Sequence, residues 1–464
     1  MQERLSAPRS FGGNRITGFF VGLAERYLPD AYLFAVVLTL IAGLLTAIFV
    51  TVDIFVLVEA WYDGLWNILT FALQMALILL TGYTVARSRP VSRFLDWLAS
   101  KPQNQAQALA FIIVVSSIAS LINWGFGLVV AAIMARYIGK RLENVDYAIL
   151  VSAGYAGFIV WASGLSSSIA LAVSTPGSEA NITQQVTGQV LDFGRTILTW
   201  WNIIPVVLIV ASLVPLYWWM MPKRPEHMRK VDRGLLARED EQAGRVETPD
   251  TPAGKLERFW PLNLAIAGAI FLYFGHQLAT GEFVFDFNAV IALFLAVGLI
   301  LHWTPISYVR SFTGSAGAMG PIALQYPLYG GIQGLMVLTV GGTSLAGTIA
   351  DWFLAFSNEY TFAFWTFVSS NVISLFIPSG GGHWVVQGPV MVPAAEQLGV
   401  DQGLTAMAVA WGEGTANMVQ PFWALPILGI VGLGIRDIMG YGVFTLGLSF
   451  AIYGAFTLIA PFFL

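Results

Sequence analysis

The chain has 464 residues, 56% hydrophobic and only 11% charged, with a mean hydropathy of +0.71. Soluble proteins carry roughly 25% charged residues, so the composition excludes a soluble domain and specifies a polytopic membrane protein built on apolar helices about 20 residues long. The absence of cysteine excludes disulfides, thiolate metal sites and cysteine nucleophiles, and the net charge of -4 matters less than its distribution.

Residues 1–31 hold no cleavable signal pattern, because Arg15 and the Glu25-Arg26 pair interrupt any apolar core. The first span is then expected to double as the targeting signal. Within 16–28, Ile16, Phe19, Phe20, Leu23 and Tyr27 form an apolar face at helical spacing, an interfacial helix ended by Pro29. Spans are predicted at 32–50 and 65–85, with an acidic loop (Asp53, Glu59, Asp63) at 51–64 between them. The run 106–138 is apolar but breaks at Asn123-Trp124-Gly125-Phe126-Gly127. The next, 147–174, loosens at Ser163-Gly164-Leu165-Ser166-Ser167-Ser168. A span at 196–221 stops at Pro222. The long polar stretch 222–258 reads as a hydrophilic, solvated cytoplasmic linker that divides the chain into halves, 1–221 and 259–464. Spans follow at 259–279 and 287–303, with a glycine-rich one within 321–356. The broken run 361–398, the interrupted run 404–435 and a last span at 439–463 complete the chain.

Lysine and arginine cluster before residue 27, at 87–101, at 136–141 and in the linker, whereas 311–435 holds none. Basic loops stay in the cytoplasm, which places the N-terminus, 86–105, 136–146 and 222–258 there and the C-terminus on the periplasmic side. Both ends of 106–138 are then cytoplasmic, so it is expected to enter and leave on one side as a re-entrant hairpin. Both ends of 361–398 fall outside, which makes it a hairpin from the opposite side.

The two halves repeat. Ser116-Ser117-Ile118-Ala119-Ser120-Leu121 resembles Ser369-Ser370-Asn371-Val372-Ile373-Ser374-Leu375, and Gly125-Phe126-Gly127 falls against Gly380-Gly381-Gly382. Trp161 to Ser167 falls against Trp411-Gly412-Glu413-Gly414-Thr415-Ala416-Asn417. Broken segments at matching places of two inverted halves point to a transporter's binding site. Non-helical backbone at membrane depth is tolerated only inside protein or beside a watery cavity. The expected fold is therefore all-α, two inverted-topology repeats, each with a re-entrant hairpin and an interrupted transmembrane helix.

Three motifs carry a resemblance: Glu25-Arg26-Tyr27-Leu28-Pro29-Asp30, Pro378-Ser379-Gly380-Gly381-Gly382-His383-Trp384, and Trp411-Gly412-Glu413-Gly414-Thr415 with Pro421-Phe422-Trp423. With them the chain resembles the bacterial short-chain fatty acid transporter family (AtoE type), within the wider ion transporter superfamily. The resemblance implies a multi-pass protein of the bacterial cytoplasmic membrane. It also implies elevator-type movement, a homodimer, and a short-chain carboxylate such as butyrate or acetoacetate as substrate.

Glycines at a hairpin tip expose backbone N–H groups, and a helix N-terminus attracts anions. A carboxylate is therefore expected beside Ser379, Gly380, Gly381 and Gly382, and beside Asn123, Gly125 and Gly127; tight helix packing is the bland alternative. Ser166, Ser167, Ser168, Thr415 and Asn417 offer oxygens to substrate. Ser167, Thr415 and Asn417 are also the candidates for a bound Na⁺. His383 and Glu413 are the ionisable groups inside broken segments, and intramembrane ionisable residues are functional by default. Both, with Ser163 as the counterpart of Glu413, are candidates for ion coupling to H⁺ or Na⁺; His383 is also a candidate donor to the substrate carboxylate, and Glu413 to pair with His383. Glu413 alternatively caps a half-helix, and His383 alternatively packs beside Trp384. Trp161, Trp384, Trp411 and Trp423 are candidates to line an acyl pocket. Neither a cofactor beyond possible Na⁺ nor a nucleic-acid partner is expected. A passive channel and an integral membrane enzyme are the rival functions; the enzyme lacks a cysteine, an H-E-x-x-H motif or an intramembrane lysine.

Overall fold

The computed structural model describes residues 31–222, 228–231, 250–375, 377 and 379–464, and these are helical almost throughout. The helix expected at 16–28, Pro378 and most of the 222–258 stretch lie outside the described residues. Before the polar stretch come α1 (Ala31–Val50), α2 (Ile54–Asn67), α3 (Leu69–Ala86), α4 (Arg89–Ala99), α5 (Gln105–Ile122), α6 (Trp124–Arg141), α7 (Tyr147–Gly157), α8 (Ser168–Ser174) and α9 (Trp200–Met220). After it come α10 (Pro261–Thr280), α11 (Phe287–His302), α12 (Gly320–Val337), α13 (Leu345–Phe356), α14 (Phe362–Ser374), α15 (Gly380–Leu398), α16 (Gln402–Ala416), α17 (Pro421–Val431) and α18 (Ile435–Ile459). Shorter helices connect them. Among the described residues there is no β-strand, only an isolated bridge between Val340 and Thr343.

Each break has a local cause. Asn123 ends α5 and starts α6. Its backbone is extended, and its Oδ1 accepts the Phe126 N–H at 2.9 Å. A side chain that caps a helix start satisfies one of the orphan N–H groups there. Ser379 does the same for α15, accepting from Gly382 N at 3.3 Å. In 147–174, α7 tightens into a 3₁₀ turn over Phe158–Ser163, and Ser167 then caps α8.

Three expectations need correction, and the continuity of 321–356, open from sequence, is settled. The acidic 51–64 segment is not a loop but α2. Its acids face outward while Leu57, Gly64 and Ile68 are buried, a helical stripe that the charges masked. The 321–356 span is two helices, parted where Gly341 and Gly342 take φ of +61° and +84° in a tight turn. The 411–417 stretch is helical to Ala416, and the interruption lies at Asn417–Gln420; Glu413 sits inside α16 and caps no helix start. The linker is not wholly solvated. Arg229 is buried, with Nη1 3.1 Å from Asp437 Oδ1 and its N–H donating to Asp146 Oδ2 at 2.9 Å.

Among the described residues, six helical stretches are long and apolar enough to cross a membrane. Their enclosure differs sharply. The apolar window of Tyr147–Ser174 is 94% buried within the protein, that of Pro252–Thr280 only 11%. The broken span is therefore the core of the molecule, and α10 faces outward. α2 and α12 cross at backbone contact: a Cβ on Gly64 would lie 2.4 Å from Gly330 O, and one on Gly330 2.3 Å from Gly64 O.

Candidate functional site

A cavity of about 390 Å³ lies where the breaks meet. Trp124, the first residue of α6, lines it, as do Ser379 and Gly380 at the start of α15. Ser168 at the start of α8 and Trp423 in the first turn of α17 complete that side. Tyr83 and Arg87 close it from the end of α3, and Gln325 and Tyr326 from α12; among the described residues, none that lines it is acidic. A helix N-terminus carries about half a positive charge. Residues in the first turns of three helices of eleven residues or more thus line one space that Arg87 also borders. Leu79, Pro426 and Ile430 supply apolar wall.

An aromatic cluster backs the cavity. Trp124 and Trp423 meet edge to face at 5.3 Å, Trp161 lies 5.7 Å from Trp423, and Phe158 stacks on Trp161 at 5.8 Å. The three glycines of α15 each admit one ring. A Cβ on Gly380 would lie 2.5 Å from Trp161, one on Gly381 2.3 Å from Phe71, and one on Gly382 2.5 Å from Tyr329. Gly125 and Gly127 are contact surfaces as well, against Leu79 and Ser120. Ser379 Oγ donates to Tyr326 OH at 2.7 Å.

One turn below the Ser379 cap lies His383, whose N–H bonds Ser379 O at 2.6 Å. It is fully buried, and so is Glu413. His383 Nδ1 lies 2.6 Å from Glu413 Oε2, and His383 Nε2 lies 2.5 Å from Gln387 Oε1. Asn417 Nδ2 donates to Glu413 Oε1 at 3.0 Å, and Trp161 Nε1 donates to Asn417 Oδ1 at 3.0 Å. The same tryptophan therefore touches Gly380 at the cavity and holds the far end of the ionisable pair.

The other candidates fall elsewhere. Ser166 Oγ accepts from Trp124 N at 2.8 Å and ties the first hairpin to the broken span. Ser167 caps α8, and Thr415 Oγ1 is buried without a partner. Ser163 does not approach Glu413. It meets Trp411 Nε1 at 3.1 Å and Tyr453 OH at 3.2 Å, on another face of α16. Trp411 stacks on Tyr453, and Trp384 Nε1 donates to Ala180 O, so neither lines the cavity.

The family description "Short chain fatty acid transporter" matches residues 13–459. The chain belongs to the short-chain fatty acid transporter family. Two relatives provisionally named short-chain fatty acid transporters are similar over most of their length. One, from Escherichia coli (strain K12), is 38% identical over 95% of this chain and 98% of its own. Another, from Haemophilus influenzae, is 37% identical over 92% and 95%. The fold resembles the YdaH transporter of Alcanivorax borkumensis, at 14% identity and a TM-score of 0.59 over 96% of this chain and 98% of that one. This short-chain fatty acid transporter is a multi-pass membrane protein and not an enzyme.

Several residues that line this cavity carry no signal in the sequence. Arg87 reads from sequence only as a cytoplasmic charge, and Tyr83, Gln325 and Tyr326 lie on helices without a motif. Gln387 was within reach, because it stands four residues after His383 and so on the same helix face.

Proposed function

We propose that the chain carries short-chain carboxylates such as butyrate or acetoacetate across the bacterial cytoplasmic membrane in symport with H⁺, by alternating access. One observation carries this reading: the first turns of three helices and Arg87 line a cavity with no acid among its described residues, one turn from a buried Glu413–His383 pair. The helix ends and the Tyr326 hydroxyl, which accepts from Ser379 and keeps its own proton, suit a carboxylate head, and Leu79, Pro426 and Ile430 suit a short acyl tail. A buried anion is costly unless compensated. Adding a carboxylate beside an ionised Glu413 would bury two negative charges, whereas a proton on the pair removes one. Substrate and proton are then favoured together.

In this reading the two halves are inverted repeats, and the hairpins α5–α6 and α14–α15 move with the broken spans as one elevator-like unit. The homodimer implied by the family resemblance belongs to the same proposal. H⁺ is preferred to Na⁺. Of the three Na⁺ candidates, Ser167 is engaged as a cap and Asn417 by Trp161 and Glu413, which leaves only the Thr415 hydroxyl unpartnered.

The test is butyrate transport in proteoliposomes with Glu413→Gln. Exchange of labelled for unlabelled butyrate should be saturable in wild type and persist in the variant, while accumulation against a gradient is lost. Non-saturable flux in wild type would favour a channel. Normal accumulation by the variant would reduce Glu413 to a structural role.

A further inference from the structure

We infer that Gln387 and Asn417 are positioning residues that leave a single mobile proton on the Glu413–His383 hydrogen bond. The inference rests on the proton-coupled reading above and specifies where the proton sits. It follows from hydrogen-bond polarity. Ser369 Oγ donates its one proton to Thr366 O at 2.9 Å, so toward Gln387 it accepts. Gln387 Nε2 therefore faces Ser369 Oγ at 3.0 Å and Thr366 O at 3.4 Å, and Gln387 Oε1 faces His383 Nε2. An amide oxygen only accepts, so His383 carries a proton on Nε2.

The other end is fixed in the same way. An indole nitrogen only donates, so Trp161 turns Asn417 Oδ1 toward itself and Asn417 Nδ2 toward Glu413 Oε1. That oxygen accepts. A proton on Glu413 is then confined to Oε2, the atom facing His383 Nδ1. Amide flips and tautomers are ambiguous for an isolated pair; here partners of unambiguous polarity set both ends.

One proton thus bridges Nδ1 and Oε2. When it leaves, the neutral imidazole keeps one hydrogen, and neither position suits. On Nε2 it leaves the Nδ1 lone pair against a carboxylate. On Nδ1 it leaves the Nε2 lone pair against the Gln387 oxygen. Gln387 therefore opposes release, and Asn417, which donates to the carboxylate, favours it. The other titratable groups facing the pair are tyrosines. Tyr155 OH donates to Asn417 O at 2.6 Å, Tyr326 bonds Ser379, and Tyr329 OH donates to Gln325. Among the described residues, the remaining buried ionic side chains, Asp146 and Arg229, contact each other.

The experiment is the pH profile of butyrate exchange in proteoliposomes at equal pH on both sides. Wild-type exchange should fall as pH rises and the bridging proton is released. Gln387→Met should move the midpoint to lower pH and Asn417→Leu to higher pH, each by at least about one unit, a tenfold change in proton affinity. Loosened packing would not split the two variants in opposite directions, so a common shift or none overturns the inference. If wild-type exchange and accumulation ignore pH, the proton-coupled reading itself falls; if only the split fails, the placement of the proton falls alone. Where a variant does not exchange, solid-state ¹⁵N NMR of wild type decides, with the His383 signal assigned by its loss in His383→Asn. A protonated Nε2 at the pH of fastest exchange is expected, and a bare Nε2 overturns the inference.

Discussion

At Gly380 a hydrogen stands where any other residue would place a carbon 2.5 Å from the Trp161 ring. That ring also holds Asn417, so its position links the cavity to the ionisable pair. Forcing a side chain into such a contact costs about 1–3 kcal/mol. Gly380→Ala is expected to lower butyrate exchange at least about tenfold at a normal folded yield, measured per reconstituted protein. Wild-type exchange would remove Trp161 from the mechanism. At this scale the sequence was partly readable. His383 and Glu413 stood out because charge is costly inside a membrane span. Gln387 and Asn417's dual role did not, since amides are common and their meaning lies in partner polarity, which only three-dimensional contact reveals. The tryptophans show the same limit: of four candidates, Trp423 lines the cavity, Trp161 supports it, and Trp384 and Trp411 pack elsewhere.

Among the elements, breaks read well and continuity read poorly. Asn123 and the Ser163–Ser168 stretch announce themselves because capping side chains and glycines are rare in apolar runs, and helices do break there. At α2 the charges of Asp53, Glu59 and Asp63 mask the helical spacing of Leu57, Gly64 and Ile68. An outward acidic face is compatible with a helix whose other face meets α12. That crossing depends on glycine. Gly64→Ala would set a carbon 2.4 Å from Gly330 O, and separating the backbones should cost about 2 kcal/mol. The expected outcome is a lowered thermal unfolding midpoint in detergent. An unchanged midpoint would mean that the two helices part freely.

Across the whole molecule, the most enclosed span is the broken one, and the polar linker is tied in by Arg229, which reaches Asp146 before α7 and Asp437 in α18. A linker residue buried between acids more than 200 positions apart was not legible in a stretch that reads as uniformly charged. The enclosure of the broken span suits a transporter, because substrate must leave water to cross the membrane. The most direct measurement is radiolabelled butyrate uptake by wild-type proteoliposomes under an imposed pH gradient or an imposed Na⁺ gradient. A pH gradient alone, acid outside, is predicted to drive accumulation above equilibrium. Accumulation driven by Na⁺ alone at matched pH would contradict proton coupling through Glu413 and His383.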